Sequence, residues 1–387
     1  MFELLFLLLP VAAVYGYFMG KNYSKQKLQE SKNQQNANYL RGFDYLLNNE
    51  QDKAVDKFIA YFNSKDPSFE SSIALGTLFR QRGEVDKAIS LHEKMSNDRN
   101  LDDSEIMLSM LELSHDFISA GLLDRAEAIL LKMVEIPTYR SKAAKLLLNV
   151  YEKEQDFEKA VNVAAQYFEA NEHSVSKLLS QYRCEIAKKL AYDGKKTDAV
   201  SELRKAITCY EKSKRARLEL ADVLISQRKF NDAYKLVKEV SAIDPSLGIV
   251  CLEKLKLCFP NIADPNYRYA LEDLVHRTNS ASAMVELVKT VEQSSCREDA
   301  IALLESFLKN KSNLKLFSQM LELKAHSSDV KANESIMQLK SMLDAHISLT
   351  TLYFCPNCGF ESRMLFWQCP SCRRWESMKA KIGLDGD

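Results

Sequence analysis

An all-α superhelical solenoid, preceded by one transmembrane helix and closed by a small four-cysteine ribbon, is the architecture this sequence predicts. Three observations predict it. Seven hexapeptides recur: NEQDKA, GEVDKA, GLLDRA, QDFEKA, GKKTDA, RKFNDA and SCREDA, ending at Ala54, Ala88, Ala126, Ala160, Ala199, Ala233 and Ala300. The first twenty residues are apolar apart from Glu3. Two Cys-x-x-Cys pairs stand near the end of the chain, Cys355/Cys358 and Cys369/Cys372.

The intervals between the seven alanines are 34, 38, 34, 39, 34 and 67. A period of 34 is that of the tetratricopeptide repeat (TPR), two antiparallel helices and a turn. The interval of 67 is nearly two periods and implies one degenerate repeat. Each hexapeptide is read as the turn between helices and the start of the second helix. Its Asp or Glu meets the positive end of the helix dipole, and its alanine lies where two backbones approach closely.

Residues 1–20 (MFELLFLLLPVAAVYGYFMG) would make a helix of about 30 Å, enough to cross the hydrocarbon core. A signal peptide wants a basic stretch before its apolar core, and none is present. Lys21, Lys25 and Lys27 follow the segment, so the positive-inside rule places the rest of the chain in the cytoplasm. Residues 21–35 are polar and read as a juxtamembrane linker.

The array is expected over 36–347. Gly42, Tyr45, Ala54 and Phe58 fit the first repeat, and Gly76, Phe79, Gly83 and Ala88 the second. Leu113, Ser114, Phe117, Gly121 and Ala126 fit the third, and Asn97–Glu105 holds the four extra residues before it. Leu147, Tyr151, Ala160 and Ala164 continue the pattern, then Ile186, Leu190, Gly194 and Ala199, then Leu220, Leu224, Ala233 and Val237. Leu247–Thr278, interrupted by Pro260 and Pro265, reads as the degenerate repeat. Leu314–Lys324 and Val330–Ile347 read as a capping pair. The first helices of such pairs line the concave face, where Lys142, Lys145, Lys188 and Arg215 are expected as a solvated or binding surface. His115 and His173 read as ordinary helix histidines, with no second ligand at useful spacing.

Composition bounds the function. With 53 basic and 53 acidic residues, the whole chain has no electrostatic drive toward nucleic acid or anionic lipid. Only 11 Gly and 8 Pro suit a helical protein. Cys184, Cys209, Cys251, Cys258 and Cys296 are scattered singly; read as buried thiols beside a thiol cluster, they indicate a reducing compartment. There is no P-loop, GxSxG, HExxH or dinucleotide fingerprint, so no enzyme is expected.

Residues 348–387 are read as the metal ribbon and tail. Pro356, Gly359 and Pro370 suit two tight turns that present Cys355, Cys358, Cys369 and Cys372 to one ion. Four thiolates make a closed tetrahedral site for Fe or Zn, and spacing does not distinguish them. A module this small needs the ion to fold. A structural or protein-docking role is favoured over RNA binding through Arg363, Arg373, Arg374 and Trp375, or over electron transfer.

The order of parts resembles the lipopolysaccharide assembly protein B family of Gram-negative bacteria over essentially the whole chain. The resemblance is carried by MFELLFLLLPVAAVYGYFMG, the repeated D-K-A turns and YFCPNCGF…WQCPSC. It implies a rubredoxin-like ribbon in which Cys355, Cys358, Cys369 and Cys372 hold one metal ion. It implies a single-pass adaptor of the bacterial inner membrane with its soluble part facing the cytoplasm. Such adaptors help the membrane AAA+ protease degrade the lipid A pathway deacetylase and so regulate lipopolysaccharide synthesis. The protease, the deacetylase and other inner-membrane lipopolysaccharide proteins are the expected partners. A general scaffold for envelope-synthesis enzymes is the alternative reading, followed by an RNA-binding or redox protein.

Overall fold

The structure, a computed structural model, describes residues 19, 40–42, 44–45, 47–48, 50–62, 68–168, 173–261, 264–325 and 330–387. The anchor expected over 1–20 and the linker over 21–35 lie outside the described residues, Met19 excepted. Among the described residues no helix is long and apolar enough to cross a membrane.

From Gln51 onward, helix follows helix. The order is α1 (Gln51–Phe62), α2 (Phe69–Gln81), α3 (Val85–Ser96), α4 (Asp103–Ala120), α5 (Leu123–Met133), α6 (Arg140–Glu154), α7 (Phe157–Tyr167), α8 (His173–Tyr192) and α9 (Lys196–Cys209). Then come α10 (Lys214–Ser226), α11 (Phe230–Ile243), a 3-10 turn at Pro245–Leu247, α12 (Gly248–Cys258), α13 (Pro265–Thr278), α14 (Ala281–Ser294), α15 (Arg297–Asn310), α16 (Leu314–Lys324) and α17 (Val330–Leu349). Even numbers are the first helices of the expected pairs, and odd numbers the second.

The hexapeptides do what their residues dictate. All seven alanines are 0% exposed, because any larger side chain would hold the helices apart. The first turns of α1, α3, α5, α7, α9, α11 and α15 carry Asp52, Asp86, Asp124, Glu158, Asp198, Asp232 and Glu298, where the helix dipole favours an anion. The opening position of five hexapeptides is left-handed: Gly83, Gly121 and Gly194, but also Gln155 and Arg228. That conformation ends the preceding helix and reverses the chain.

The degenerate repeat now has a physical account. Tyr267 stands 34 residues after Ala233 and takes the alanine's place. It is buried, its ring lies 5.7 Å from that of Phe259, and its hydroxyl donates to Glu286 at 3.1 Å. Pro265 does not interrupt a helix. It opens α13 at the first turn, behind Asp264, whose carboxylate accepts from the Asn266 amide.

Two compact units divide the chain, one ending at Asp156 and the other spanning Phe157–Asp387. In the first, Leu75, Leu111, Phe117, Leu130, Leu147 and Tyr151 fill the space between helices. Gly76 lets α2 approach α3 so closely that an added Cβ would lie 2.3 Å from the His92 ring. His92 is wholly buried, its Nδ1 2.5 Å from Asp116, and Arg80 bridges Asp116 and Glu112 at 2.7 Å each.

In the second unit one apolar core runs from Cys184 to Leu323. Beyond α17, the strands β1 (Tyr353–Phe354), β2 (Glu361–Ser362) and β3 (Lys379–Ala380) form an antiparallel sheet in the order β2-β1-β3. Tyr353 pairs with Ser362 on one side and Ala380 on the other.

Candidate metal centre and its seat on the repeats

The two cysteine pairs sit on two turns of the same design. In the first, the Gly359 amide donates to Cys355 O at 2.9 Å and the Cys355 amide to Phe360 O at 2.8 Å. In the second, the Arg373 amide donates to Cys369 O at 2.9 Å and the Cys369 amide to Arg374 O at 3.0 Å. The residue after each second cysteine is left-handed: Gly359 (φ 76°) and Arg373 (φ 55°). Each turn aims backbone amides at its sulfurs.

The four thiols converge. Cys355 and Cys372 Sγ are 3.7 Å apart, as are Cys358 and Cys369 Sγ, and all four lie within 4.8 Å of one another. Sulfurs held about 2.3 Å from one ion in a tetrahedron stand about 3.8 Å apart, so the donor set fits one Fe or Zn ion. The Ser377 hydroxyl, 3.4 Å away, and the Asn357 and Cys358 amides outweigh desolvation and hold the Cys355 thiol down to about 6. The Arg374 amide and the Asn357 side chain likewise hold Cys372 low. Burial instead pushes the Cys369 thiol up to about 11, and since thiolates, not thiols, bind metal, an ion would have to displace that proton. Cys355 and Cys369 are buried and Cys358 is exposed. Four protein ligands leave no open position, the arrangement of a structural rather than catalytic ion.

The ribbon is not a free appendage. It lies against the first helices of consecutive pairs in its own unit. Trp367 and Leu365 pack on the repeat core, and Val250 of α12 packs into the ribbon's own small core of Tyr353, Cys355, Cys369 and Met378. Glu376 accepts from Gln181 Nε2 at 3.1 Å and pairs with Lys177 at 3.1 Å, both on α8. The Trp375 ring stands edge-on to Tyr182 and lies 5.4 Å from the Arg215 guanidinium.

Arg215 is therefore corrected from an open concave-face cation to the centre of the seat. It is 2% exposed. It donates to Glu219 at 2.6 Å, Glu185 at 2.7 Å and Gln181 at 3.3 Å. Lys142, Lys145 and Lys188 are exposed. Trp375, the aromatic considered for nucleic-acid contact, is turned inward onto the repeats. His173 stacks edge-on to Tyr210, and His115 is half-buried beside Glu112 and Arg80, its pKa lowered by burial. The scattered cysteines are not uniformly buried: Cys184, Cys251 and Cys258 are, Cys209 is half-buried, and Cys296 is exposed. Gln181, Lys177 and Glu376 carry no sequence signal, because ordinary helix-surface residues look the same until a second element lands on them.

Residues 353–380 match the profile of a rubredoxin metal binding domain, and residues 71–105 that of a tetratricopeptide repeat. The whole chain is similar to lipopolysaccharide assembly protein B of Escherichia coli K12: 30% identical over 388 residues, covering 100% of both chains. It is 31% identical over 389 residues to the protein of the same name from Haemophilus influenzae, covering 98% of each.

Proposed function

Because this chain belongs to the lipopolysaccharide assembly protein B family, we propose that it is a regulatory adaptor of lipopolysaccharide synthesis at the bacterial inner membrane. In this reading it promotes degradation of the lipid A pathway deacetylase by the membrane AAA+ protease. The observation that carries the proposal is the likeness over the full length of the relatives, repeats and ribbon together. Residues 1–20 would tether the repeats to the membrane surface, raising their effective concentration toward other membrane proteins without any new contact. Cys355, Cys358, Cys369 and Cys372 would hold one Fe or Zn ion. The ion's part is to hold the two cysteine turns together, so that Trp367, Trp375 and Glu376 stay on the repeats. The exposed first-helix surfaces that the ribbon leaves uncovered would meet the client.

The test is a pulse-chase of the deacetylase in cells depleted of this chain and complemented with variants. Depletion should lengthen the deacetylase half-life, and the wild-type chain should restore it only when the protease is active. Cys355→Ser/Cys358→Ser and deletion of residues 1–20 should each fail to restore it. An unchanged half-life on depletion would sink the proteolysis reading. Recovery of several envelope-synthesis enzymes with the chain, independent of the protease, would then favour the scaffold.

A further inference from the structure

A polar groove at the N-terminal ends of α14 and α16 is filled by this chain's own segment Gly383–Asp387, and we infer that the groove is a receptor for an acidic peptide, with that segment as its resident competitor. The inference stands apart from the family reading, since it needs only the contacts below.

The groove reads backbone and one acid. Asn313, 2% exposed at the start of α16, donates through Nδ2 to Gly383 O at 2.9 Å and Gly386 O at 3.2 Å. The Leu314 amide donates to Leu384 O at 3.0 Å. Asp387 then places one carboxylate oxygen 2.9 Å from the Ser282 amide and 3.1 Å from Lys315 Nζ, and the other 2.5 Å from Ser280 Oγ. Ser280 is itself 2% exposed. The Asp387 amide folds back onto Lys381 O at 2.9 Å. Meanwhile Ile382 and Leu384 are 78% and 55% exposed, and the Asp385 side chain is 52% exposed. Thus three carbonyls and one carboxylate hold the segment, while its apolar side chains add little. Such recognition transfers to any peptide with an acid at the right distance from its carbonyls.

A second observation extends the site past Asp387. Ser282 and Lys315 also line a cavity of about 370 Å³ that runs along α14 and α16 to α17. Lys256, Lys289 and Lys340 face it too. Lys256 is paired with Glu286, and Lys340 with Glu322 and Asp344. Among the described residues Lys289 makes no ion pair within 4.0 Å, and its charge helps hold the Asp344 carboxyl low against burial. Asp387 shares Ser282 and Lys315 with this cavity, whose lining includes no residue of the resident segment, and a longer acidic chain would reach Lys289. Burial works against ionising Asp387, yet Lys315 and the Ser280 and Ser282 donors outweigh it and keep the carboxyl below its ordinary value.

The test uses the full-length chain and a fluorescein-labelled peptide of sequence KIGLDGD, read by anisotropy. Asp387→Asn should loosen the resident segment, so that this variant binds the peptide about tenfold tighter than the wild type does. Adding Lys315→Ala should erase the gain, and the KIGLNGN peptide should not bind. A folded Asp387→Asn chain that binds no tighter than wild type, or that binds both peptides equally, overturns the inference. If that variant instead loses its helical circular dichroism, the wild type decides. Excess KIGLDGD should then speed hydrogen exchange over 383–387 while 280–283 and 313–315 stay protected, and unchanged exchange overturns the inference. A concentration-dependent dimer of Asp387→Asn without peptide binding would assign the groove to a second copy's segment and overturn the receptor.

Discussion

At the scale of single residues, the repeat turns expose where the sequence departs from its own ideal. Gly83, Gly121 and Gly194 adopt the left-handed turn without a Cβ penalty, whereas Gln155 and Arg228 adopt it with one. That conformation costs an ordinary residue about 1–2 kcal/mol, and glycine's extra chain entropy returns about half of any gain. Arg228→Gly should therefore raise stability by about 0.5–1 kcal/mol, read as a higher midpoint in urea. Gly76 poses the opposite problem. A Cβ there would lie 2.3 Å from a ring that is itself fully buried and held by Asp116. His92 cannot retreat without breaking that contact, so overpacking should cost Gly76→Ala about 1–3 kcal/mol, measured in the same unfolding experiment.

At the scale of elements, the ribbon's seat turns on one buried cation. Arg215 joins α8, α10 and Trp375 through Glu185, Glu219, Gln181 and the indole face. Arg215→Ala would strand two carboxylates and remove the platform under Trp375. Breaking a buried pair by removing one partner costs about 3–5 kcal/mol, so the variant should melt well below wild type. Lys188→Ala, on the exposed surface of α8, should stay within about 0.5 kcal/mol. Differential scanning calorimetry of the two proteins checks the contrast, and equal melts would remove Arg215 from the seat. The two cysteine turns are equivalent in backbone but not in sequence, since Arg373 occupies the position Gly359 fills in the first.

At the scale of the molecule, ion binding and ribbon docking become one observable within the second unit. The chain has 2 tryptophans, Trp367 and Trp375, and both face the repeats. Removing the ion with a strong chelator should unfold the ribbon and shift tryptophan emission to the red. Helical circular dichroism should largely persist, because α8–α16 share their own core. A red shift absent after complete metal loss, verified by elemental analysis, would show that the seat holds without the ion. Acid should release the opposite end of the ribbon. Asp387 has a folded pKa below its ordinary value, so its stabilisation is fully present at neutral pH and lost as pH falls through that lowered value. Protection of 383–387 from hydrogen exchange, taken relative to the intrinsic rate at each pH, should accordingly persist at neutral pH and fall only below the ordinary carboxylate range.

The helix-pair fold was legible because its signal is local and periodic. An alanine at a crossing, an acid at a helix start and a left-handed residue at a turn each act within one repeat, and repetition multiplies them. The four-cysteine cluster was legible for the same reason: two short turns and one ion require no distant residue. Tyr267 in the alanine's place erased the local signal and hid one repeat, although the helices still formed around the larger ring. What the tertiary structure alone decided is where the ribbon goes. Its seat joins Trp375 and Glu376 to Gln181 and Arg215, and Asp387 to Ser280 and Lys315, pairs separated by between 72 and 195 residues. An arginine on a first helix reads the same in sequence whether it meets water or an indole. Only folding brought a second surface against it and turned a solvated charge into a buried anchor.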